Sequence, residues 1–240
     1  MMKRLGVIGG LGPMASAYFL ELLVRMTYAA TDQEHLDVTL LCRPSIPDRT
    51  AAILDRSKDS PVPMMQAAAK ELEQAGACCI AVPCITSHYF FNELQPAVSI
   101  PFLHLVKETV AHLKEQGVKK AGILATTGTV STRLFQDELE RQGLSFAVPS
   151  EEGQEKVMHL IYQNVKAGLP PEMPLFKDVS AELRQKGAEC LILGCTELSM
   201  IKKDYPLGAG YLDTMEVLSK ASIQFCEKPL KPEYRSLITR

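Results

Sequence analysis

The chain has 240 residues, of which 46% are hydrophobic and 22% charged, a composition typical of a globular protein and unlike that of a disordered one. Its formal net charge of −2 argues against a nucleic-acid or anionic-membrane partner, so we expect a small-molecule ligand. No apolar run approaches the roughly 18 residues of a membrane span, and the seven cysteines lack paired zinc spacing. We therefore expect a cytoplasmic protein with reduced thiols and no metal.

Short apolar runs alternate with longer amphipathic segments, a pattern that predicts parallel sheets covered by helices. The predicted strands span residues 5–9, 38–42, 78–82, 102–103, 121–125, 146–148, 190–193 and 210–212. The predicted helices span residues 14–28, 63–75, 106–116, 131–142, 152–167, 177–186 and 215–226. The predicted fold class is α/β, and the length allows one large domain or two small ones.

An internal repeat is the most informative feature of the sequence. LEQAGACCIAVPC at 72–84 aligns with LRQKGAECLILGC at 183–195 at a constant offset of 111 residues, and both segments end in cysteine. Residues 5–12 and 121–128 form a second, weaker pair that shares two glycine positions. Chance is an alternative, since helix, glycine and strand is a common α/β order. Under duplication, each half contributes one cysteine at the end of a strand, where open α/β sheets bind ligands.

The two matching cysteines, Cys84 and Cys195, each precede a predicted helix start with Thr or Ser available for capping. A helix N-terminus lowers a thiol pKa, so the placement predicts activated thiols. Racemisation needs a base on one face of a stereocentre and an acid on the other, and a thiolate with a thiol meets both needs. A single cysteine at a strand end is more often a buried core residue, and only the pairing favours catalysis.

Other residues of the sequence have both functional and structural interpretations. The turns at 9–12 and 125–128 are candidate donors for a developing enediolate. Arg49, in a predicted loop, suits a carboxylate, although such an arginine is more often a surface residue. His88 is interpreted as a packing or capping residue as readily as a partner of Cys84, and Glu197 as a carboxylate in the first turn of a helix. The remaining cysteines are assigned to the core: Cys42, Cys78, Cys79, Cys190 and Cys226.

The glycine-rich turn GGLGP at 9–13 also permits a dinucleotide-binding interpretation, which we consider weaker. Ala15 stands where the third glycine of G-x-G-x-x-G would fall, and Pro13 interrupts the usual helix entry.

Several motifs of the sequence resemble those of the aspartate/glutamate racemase family, and most closely those of its aspartate racemase branch. The resemblance covers nearly the whole length. It rests on GGLGP at 9–13, IPDRT at 46–50, PCITSH at 83–88, ATTGT at 125–129, VKAG at 165–168 and GCTE at 194–197. It implies a racemase of acidic amino acids, aspartate or glutamate, that uses no PLP or other cofactor and forms a homodimer. It also implies two pseudo-symmetric α/β lobes, residues 1–103 with 211–240 and residues 104–210, with the active site in the cleft between them.

By the same resemblance, Cys84 and Cys195 are the acid/base pair and Arg49 and Lys166 hold the side-chain carboxylate. Four further residues are implied to contact substrate: Gly10, Thr86, Thr126 and Thr196. The chain departs from the family at Ile85, where Asn is usual, which removes an amide donor from the implied α-carboxylate site.

Several alternatives stay open at the level of sequence. Related cysteine-dependent enzymes racemise hydantoins or a broad range of amino acids, isomerise maleate, or decarboxylate arylmalonates. The intact IPDRT motif at 46–50 favours a dicarboxylic amino acid among these. Outside the enzymes, a non-catalytic amino-acid-binding protein would accommodate Ile85. A redox protein that joins Cys84 to Cys195 is disfavoured, because Cα atoms within about 7 Å leave no room for substrate.

Overall fold

Two parallel sheets form the framework of the molecule, and the computed structural model describes residues 3–240. The first sheet has the strand order β2-β1-β3, from β1 Arg4–Gly9, β2 Asp37–Cys42 and β3 Cys79–Ala81. The second has the order β5-β4-β6-β7, from β4 Lys120–Ala125, β5 Ser145–Ala147, β6 Cys190–Gly194 and β7 Tyr211–Asp213. The first three strands of each half are therefore arranged alike, as the internal repeat predicts, and the α/β fold class is confirmed.

Helices cover both sheets. They are α1 Pro13–Met26, α2 Arg49–Leu54, α3 Val62–Gln74, α4 Phe91–Leu94, α5 Leu105–Glu115, α6 Thr127–Ser131, α7 Leu134–Arg141, α8 Glu151–His159, α9 Met173–Gln185, α10 Thr196–Asp204 and α11 Thr214–Phe225. A 3₁₀ turn, Ile85–Phe90, follows β3, and a π-helical turn, Leu160–Val165, extends α8.

Three predicted elements differ from the structure. Residues 102–103 make a single bridge, between Phe102 and Ile80, where a strand was predicted. The helix predicted over 131–142 is interrupted by Arg133, whose φ of 57° lies in the left-handed region. The helix predicted over 152–167 changes from α to π geometry after His159.

The apolar core links the two halves. One apolar cluster combines residues of both sheets, such as Val7 and Ile123, with side chains of α1, α5 and α11. A second cluster packs on the other face of the first sheet, and a third packs on the other face of the second sheet. The predicted division assigns 211–240 to the first lobe, but β7 hydrogen-bonds to β6 in the second sheet, whereas α11 packs on α1 and α5. Over residues 3–240, no helix is both long and apolar enough to cross a bilayer.

Candidate active site

The two repeated cysteines occupy equivalent positions and line one pocket. Cys84 follows β3 and Cys195 follows β6, with only 7% and 8% of their surface exposed. Both contribute to the wall of a small pocket, whose cavity volume is about 20 Å³. Each cysteine itself is the N-cap residue of the turn or helix that follows, without a side-chain cap, so the predicted Thr or Ser caps are absent at these two positions. The parallel order of each sheet thus delivers one thiol from each half to a common cavity.

Cys195 is held as a thiol by a carboxylate. Its Sγ–H donates to Glu197 Oε2 at 2.9 Å, and Thr196 Oγ1 donates to the same oxygen at 3.0 Å. Burial, together with the charge of Glu197 and this hydrogen bond, raises the pKa of Cys195 well above its ordinary value. The predicted lowering of its pKa is therefore wrong, because burial and a neighbouring anion outweigh the N-terminus of α10. Glu197 is a partner of Cys195 and not only a carboxylate in the first helical turn.

Cys84 faces a cation instead. Arg49 is buried as the first residue of α2, so the predicted loop at this position is a helix start. Burial lowers the pKa of the Arg49 guanidinium, but the charge of Cys84 and a hydrogen bond with it raise that pKa, and the net shift is upward. The two thiols therefore have opposite electrostatic partners, an arginine beside Cys84 and a glutamate beside Cys195.

The guanidinium of Arg49 is fixed by backbone carbonyls. Nη1 donates to Ile46 O and Pro47 O at 3.3 and 3.1 Å, and Nη2 donates to Leu11 O at 3.2 Å. Among residues 3–240, its buried Nε finds no hydrogen-bond acceptor. A buried donor without a partner is costly, so this edge of the guanidinium suits an anionic oxygen in the pocket.

A second cation lines the same pocket at Lys166, directly after the π-helical turn. Its ammonium lies 3.6 Å from Asp48 Oδ2 and 4.1 Å from the centre of the Tyr162 ring. Burial lowers the pKa of Lys166, but the charges of Glu197 and Cys195 lead the effects that raise it above its ordinary value. Asp48 and Tyr162 are pocket residues that sequence reasoning missed. Asp48 was detectable as a helix cap, because its Oδ1 accepts from Ala51 N at 2.8 Å.

Threonine hydroxyls join the two halves beside the cysteines. Thr86 Oγ1 lies 3.1 Å from Thr126 Oγ1 and 3.0 Å from Thr129 Oγ1, and all three side chains are buried. Thr86, Thr126 and Thr196 all line the pocket, as their predicted contact with substrate requires. The hydroxyls of Thr86 and Thr126 hydrogen-bond to each other, and the hydroxyl of Thr196 donates a hydrogen bond to Glu197.

Two candidates lie outside the pocket wall. The Gly10 N–H donates to Ser16 Oγ at 2.8 Å, and its φ of 89° identifies a turn residue. His88 is buried against Val82 O and His104, and burial lowers its pKa to about 3. We therefore assign Gly10 and His88 to turn geometry and packing, in contrast to the substrate contact predicted for Gly10.

The geometry is that of two thiols flanking a small, charged pocket between duplicated lobes. The model of the Asp/Glu/Hydantoin racemase family matches residues 8–221 of the chain. The chain belongs to this family. The predicted family is thereby confirmed, and the racemase is an isomerase by class.

Several relatives resemble this racemase over most of its length. The solved structure of an aspartate racemase from Picrophilus torridus is 32% identical with a TM-score of 0.84, and the match covers 98% of this chain and 99% of that one. The broad specificity amino-acid racemase RacX of Bacillus subtilis is 25% identical, over 91% of this chain and 96% of the relative. A glutamate racemase of Aquifex pyrophilus is 29% identical over 68% of this chain and 65% of its own length.

A larger cavity of about 370 Å³ adjoins the pocket of this racemase. Lys166 and Glu197 line both cavities. The larger one also has apolar walls, to which Met14, Leu169 and Met200 contribute. The boundary between the two cavities is therefore set by one cation and one anion of the site.

Proposed function

We propose that this racemase interconverts the L and D forms of an acidic amino acid, aspartate or glutamate, with Cys84 and Cys195 as the two bases. The observation that carries the proposal is the pair of thiols, one from each lobe, on one pocket with opposite charged partners. A two-base racemase needs one thiolate and one thiol at the same time. The glutamate that accepts from Cys195 favours the thiol at that position, and the guanidinium of Arg49 faces Cys84.

In one direction, the Cys84 thiolate takes the Cα proton and becomes a thiol, and the C–H electron pair passes into an enediolate. The Cys195 thiol then gives its proton to the opposite face of Cα and becomes a thiolate. In the reverse direction the other enantiomer binds, the Cys195 thiolate takes the Cα proton, and the Cys84 thiol gives its proton to the opposite face. Both sulfurs then return to their first protonation states. Helical N–H groups at the start of α10 point toward this site and stabilise negative charge that develops on the substrate. Because the thiols supply both proton transfers, the reaction requires neither PLP nor a metal.

The cations of the pocket support a dicarboxylic substrate. Within the described residues 3–240, Arg49 Nε is buried without an acceptor, and Lys166 lies on the same pocket wall. Together they suit the side-chain carboxylate of aspartate or glutamate. The likeness to the Picrophilus aspartate racemase agrees with this assignment.

A wider substrate range is the second candidate, and Ile85 favours it. This buried side chain lines the pocket where the resemblance leads one to expect Asn, so an amide donor is replaced by an apolar surface. The apolar walls of the adjoining cavity offer room for a longer side chain. The likeness to the broad specificity racemase of Bacillus subtilis supports the same candidate.

We further propose that the protein is a cytoplasmic homodimer. A row of apolar side chains is exposed on and just after α1, namely Met14, Leu20, Val24 and Tyr28. Apolar rows of this kind mark association surfaces, and Val24→Lys is expected to shift the mass in sedimentation toward the monomer. The odd number of cysteines, seven, agrees with a reducing compartment.

The proposed reaction can be tested by incubating the protein with L-aspartate, L-glutamate or L-alanine in deuterated water. We expect loss of the α-proton NMR signal and appearance of the D-enantiomer, faster for the dicarboxylic substrates. Comparable rates for alanine would favour the broad range, and Ile85→Asn is then expected to narrow it toward aspartate. Binding of these amino acids with neither exchange nor inversion would refute the racemase proposal and favour a non-catalytic binding protein.

A further inference from the structure

Three cysteines that the racemase chemistry does not use form a cluster at the amino-terminal end of β3, away from Cys84 at the carboxyl end. The Sγ atoms of Cys78, Cys79 and Cys226 all lie within 4.8 Å of one another, and this set is called the three-thiol cluster below. Cys79 begins β3, whereas Cys84 follows its carboxyl end, five residues later. At about 3.3 Å per residue the cluster is roughly 16 Å along the strand from the catalytic thiol.

Backbone pairing fixes the position of these sulfurs. Cys79 pairs with Leu5 of β1, and Cys78 N donates to Arg4 O at 2.8 Å, so both residues are held to the first strand. Cys226 directly follows α11 as its C-cap residue, and its N–H donates to Ser222 O at 3.0 Å. The cluster therefore connects the amino-terminal edge of the first sheet with the carboxyl end of the last long helix.

The surroundings of the cluster differ from those of an ordinary core. Cys79 is fully buried and Cys226 is 4% exposed, but Cys78 is only half-buried and opens the cluster to solvent. The interpretation of Cys78 as a core residue is thus wrong in part, and that of the exposed Cys42 is wrong. The ammonium of Lys3 is adjacent, bonded to Phe225 O at 3.3 Å and to Glu227 at 2.9 Å.

The three sulfurs share their protons. Hydrogen bonds from Cys79 and then Cys78, with the charge of Lys3, lower the pKa of Cys226 to about 7, although burial opposes this shift. The hydrogen bond with Cys226, followed by burial and the charge of Cys226, raises the pKa of Cys79. Three thiolates this close together would repel one another, so a cation is needed to bring all three sulfurs to the thiolate form.

We propose that the three-thiol cluster binds a thiophilic metal ion, Cu(I) or Zn(II), through three thiolate ligands. Soft sulfur ligands prefer these ions, and binding releases the protons of the thiols to solvent. Metal–sulfur bonds of about 2.3 Å in trigonal or tetrahedral geometry require sulfur separations of about 3.8–4.0 Å, so sulfurs within 4.8 Å need only a small inward movement. The carboxyl end of α11 adds a favourable field for a cation, because carbonyl oxygens accumulate there.

The chemistry of the two ions differs at one coordination position. Cu(I) is satisfied by three sulfurs, whereas Zn(II) takes a fourth ligand, for which water or the neighbouring Glu227 is available once it leaves Lys3. In both cases the ion would connect residues 78–79 with residue 226 and so stabilise the attachment of α11. This inference is independent of the proposed racemisation.

A competition titration tests the proposal. Reduced protein freed of metal would be titrated with Zn(II) against a chromophoric chelator, and without oxygen with Cu(I) against a Cu(I) chelator. We expect one ion per chain for at least one of the two metals. Cys78→Ser and Cys226→Ala should each weaken binding by more than about 100-fold, since groups that merely orient a metal ligand already contribute about 10–100-fold. Cys42→Ser, an exposed cysteine outside the cluster, is the matched control and should bind as the wild type does.

A chain with both Cys84 and Cys195 changed to Ala separates this site from the racemase pocket and should retain its ion. Cd(II) provides a direct spectroscopic count, since its thiolate charge-transfer band should report three sulfurs in the wild type and two in Cys78→Ser. Far-UV circular dichroism verifies that the cluster variants fold, and this readout does not depend on the proposed racemisation. The proposal would be overturned if the wild type failed to take up both Zn(II) and Cu(I) from their chelators. Full metal binding by Cys78→Ser, or loss of the ion in the variant without Cys84 and Cys195, would also overturn it.

Discussion

Replacement of Glu197 by Gln tests the most specific contact of the site. The substitution keeps the size of the side chain but removes the charge that accepts from Cys195 at 2.9 Å and from Thr196 at 3.0 Å. A hydrogen bond to a charged group contributes about 1.5–3 kcal/mol, and about 1.36 kcal/mol corresponds to a tenfold change in rate. We therefore expect kcat/KM to fall by about 10- to 150-fold. Because L and D enantiomers have equal free energies in solution, the fall must be the same in both directions.

The pH dependence identifies the cause of this loss. Glu197 raises the pKa of Cys195, so Glu197→Gln should lower the pKa of that thiol and move the pH profile of kcat to lower pH. Circular dichroism follows racemisation from each enantiomer. Glu151→Gln is the matched control, since Glu151 is also in the first turn of a helix in the second lobe. Unchanged kcat/KM, or an equal loss in Glu151→Gln, would refute the role assigned to Glu197.

Three further predictions concern substrate, lobe contact and pH. Arg49→Ala should lower kcat/KM for aspartate at least about tenfold more than for alanine, because the guanidinium is assigned to the side-chain carboxylate; equal losses for both would remove that role. Gly128→Ala places a Cβ 3.2 Å from Thr50 of the other lobe and should lower kcat/KM by about 10- to 100-fold. Gly6→Ala places a Cβ 3.0 Å from Ala77 within the first lobe, so it should lower stability and leave the kcat/KM of folded protein unchanged. Burial followed by the Lys220 charge lowers the pKa of His112 to about 4 from 6.5, so the free energy of unfolding should decrease as the pH falls from 6.5 toward 4, and urea titrations of His112→Gln should show a shallower decrease.

The alternation of apolar runs and amphipathic segments was enough to predict the framework. The central strands are buried on both faces and therefore appear as short apolar runs, as in residues 121–125. The repeat also predicted that Cys84 and Cys195 share a pocket, because equivalent strands end at equivalent edges. Helix α2 was missed since it has only six residues, although Pro47 and the capping Asp48 mark its start.

Features set by contacts between distant segments were not predictable. Arg133 adopts a left-handed backbone conformation although it is not a glycine, and its guanidinium forms salt bridges with Asp137 and Glu140. The contact of Tyr162 with Asp48 joins residues 114 positions apart. The pKa of Cys195 depends on burial, which a local argument from the helix N-terminus omits.

The most direct test of the central claim is to measure deuterium in the product and in the recovered substrate early in racemisation in deuterated water. If two thiols act from opposite faces of Cα, the product enantiomer should contain solvent deuterium while recovered substrate keeps its α-proton. Cys84→Ala and Cys195→Ala should each abolish the reaction. Deuterium that enters recovered substrate as fast as product, or a single variant that retains reversible racemisation, would contradict the two-thiol account.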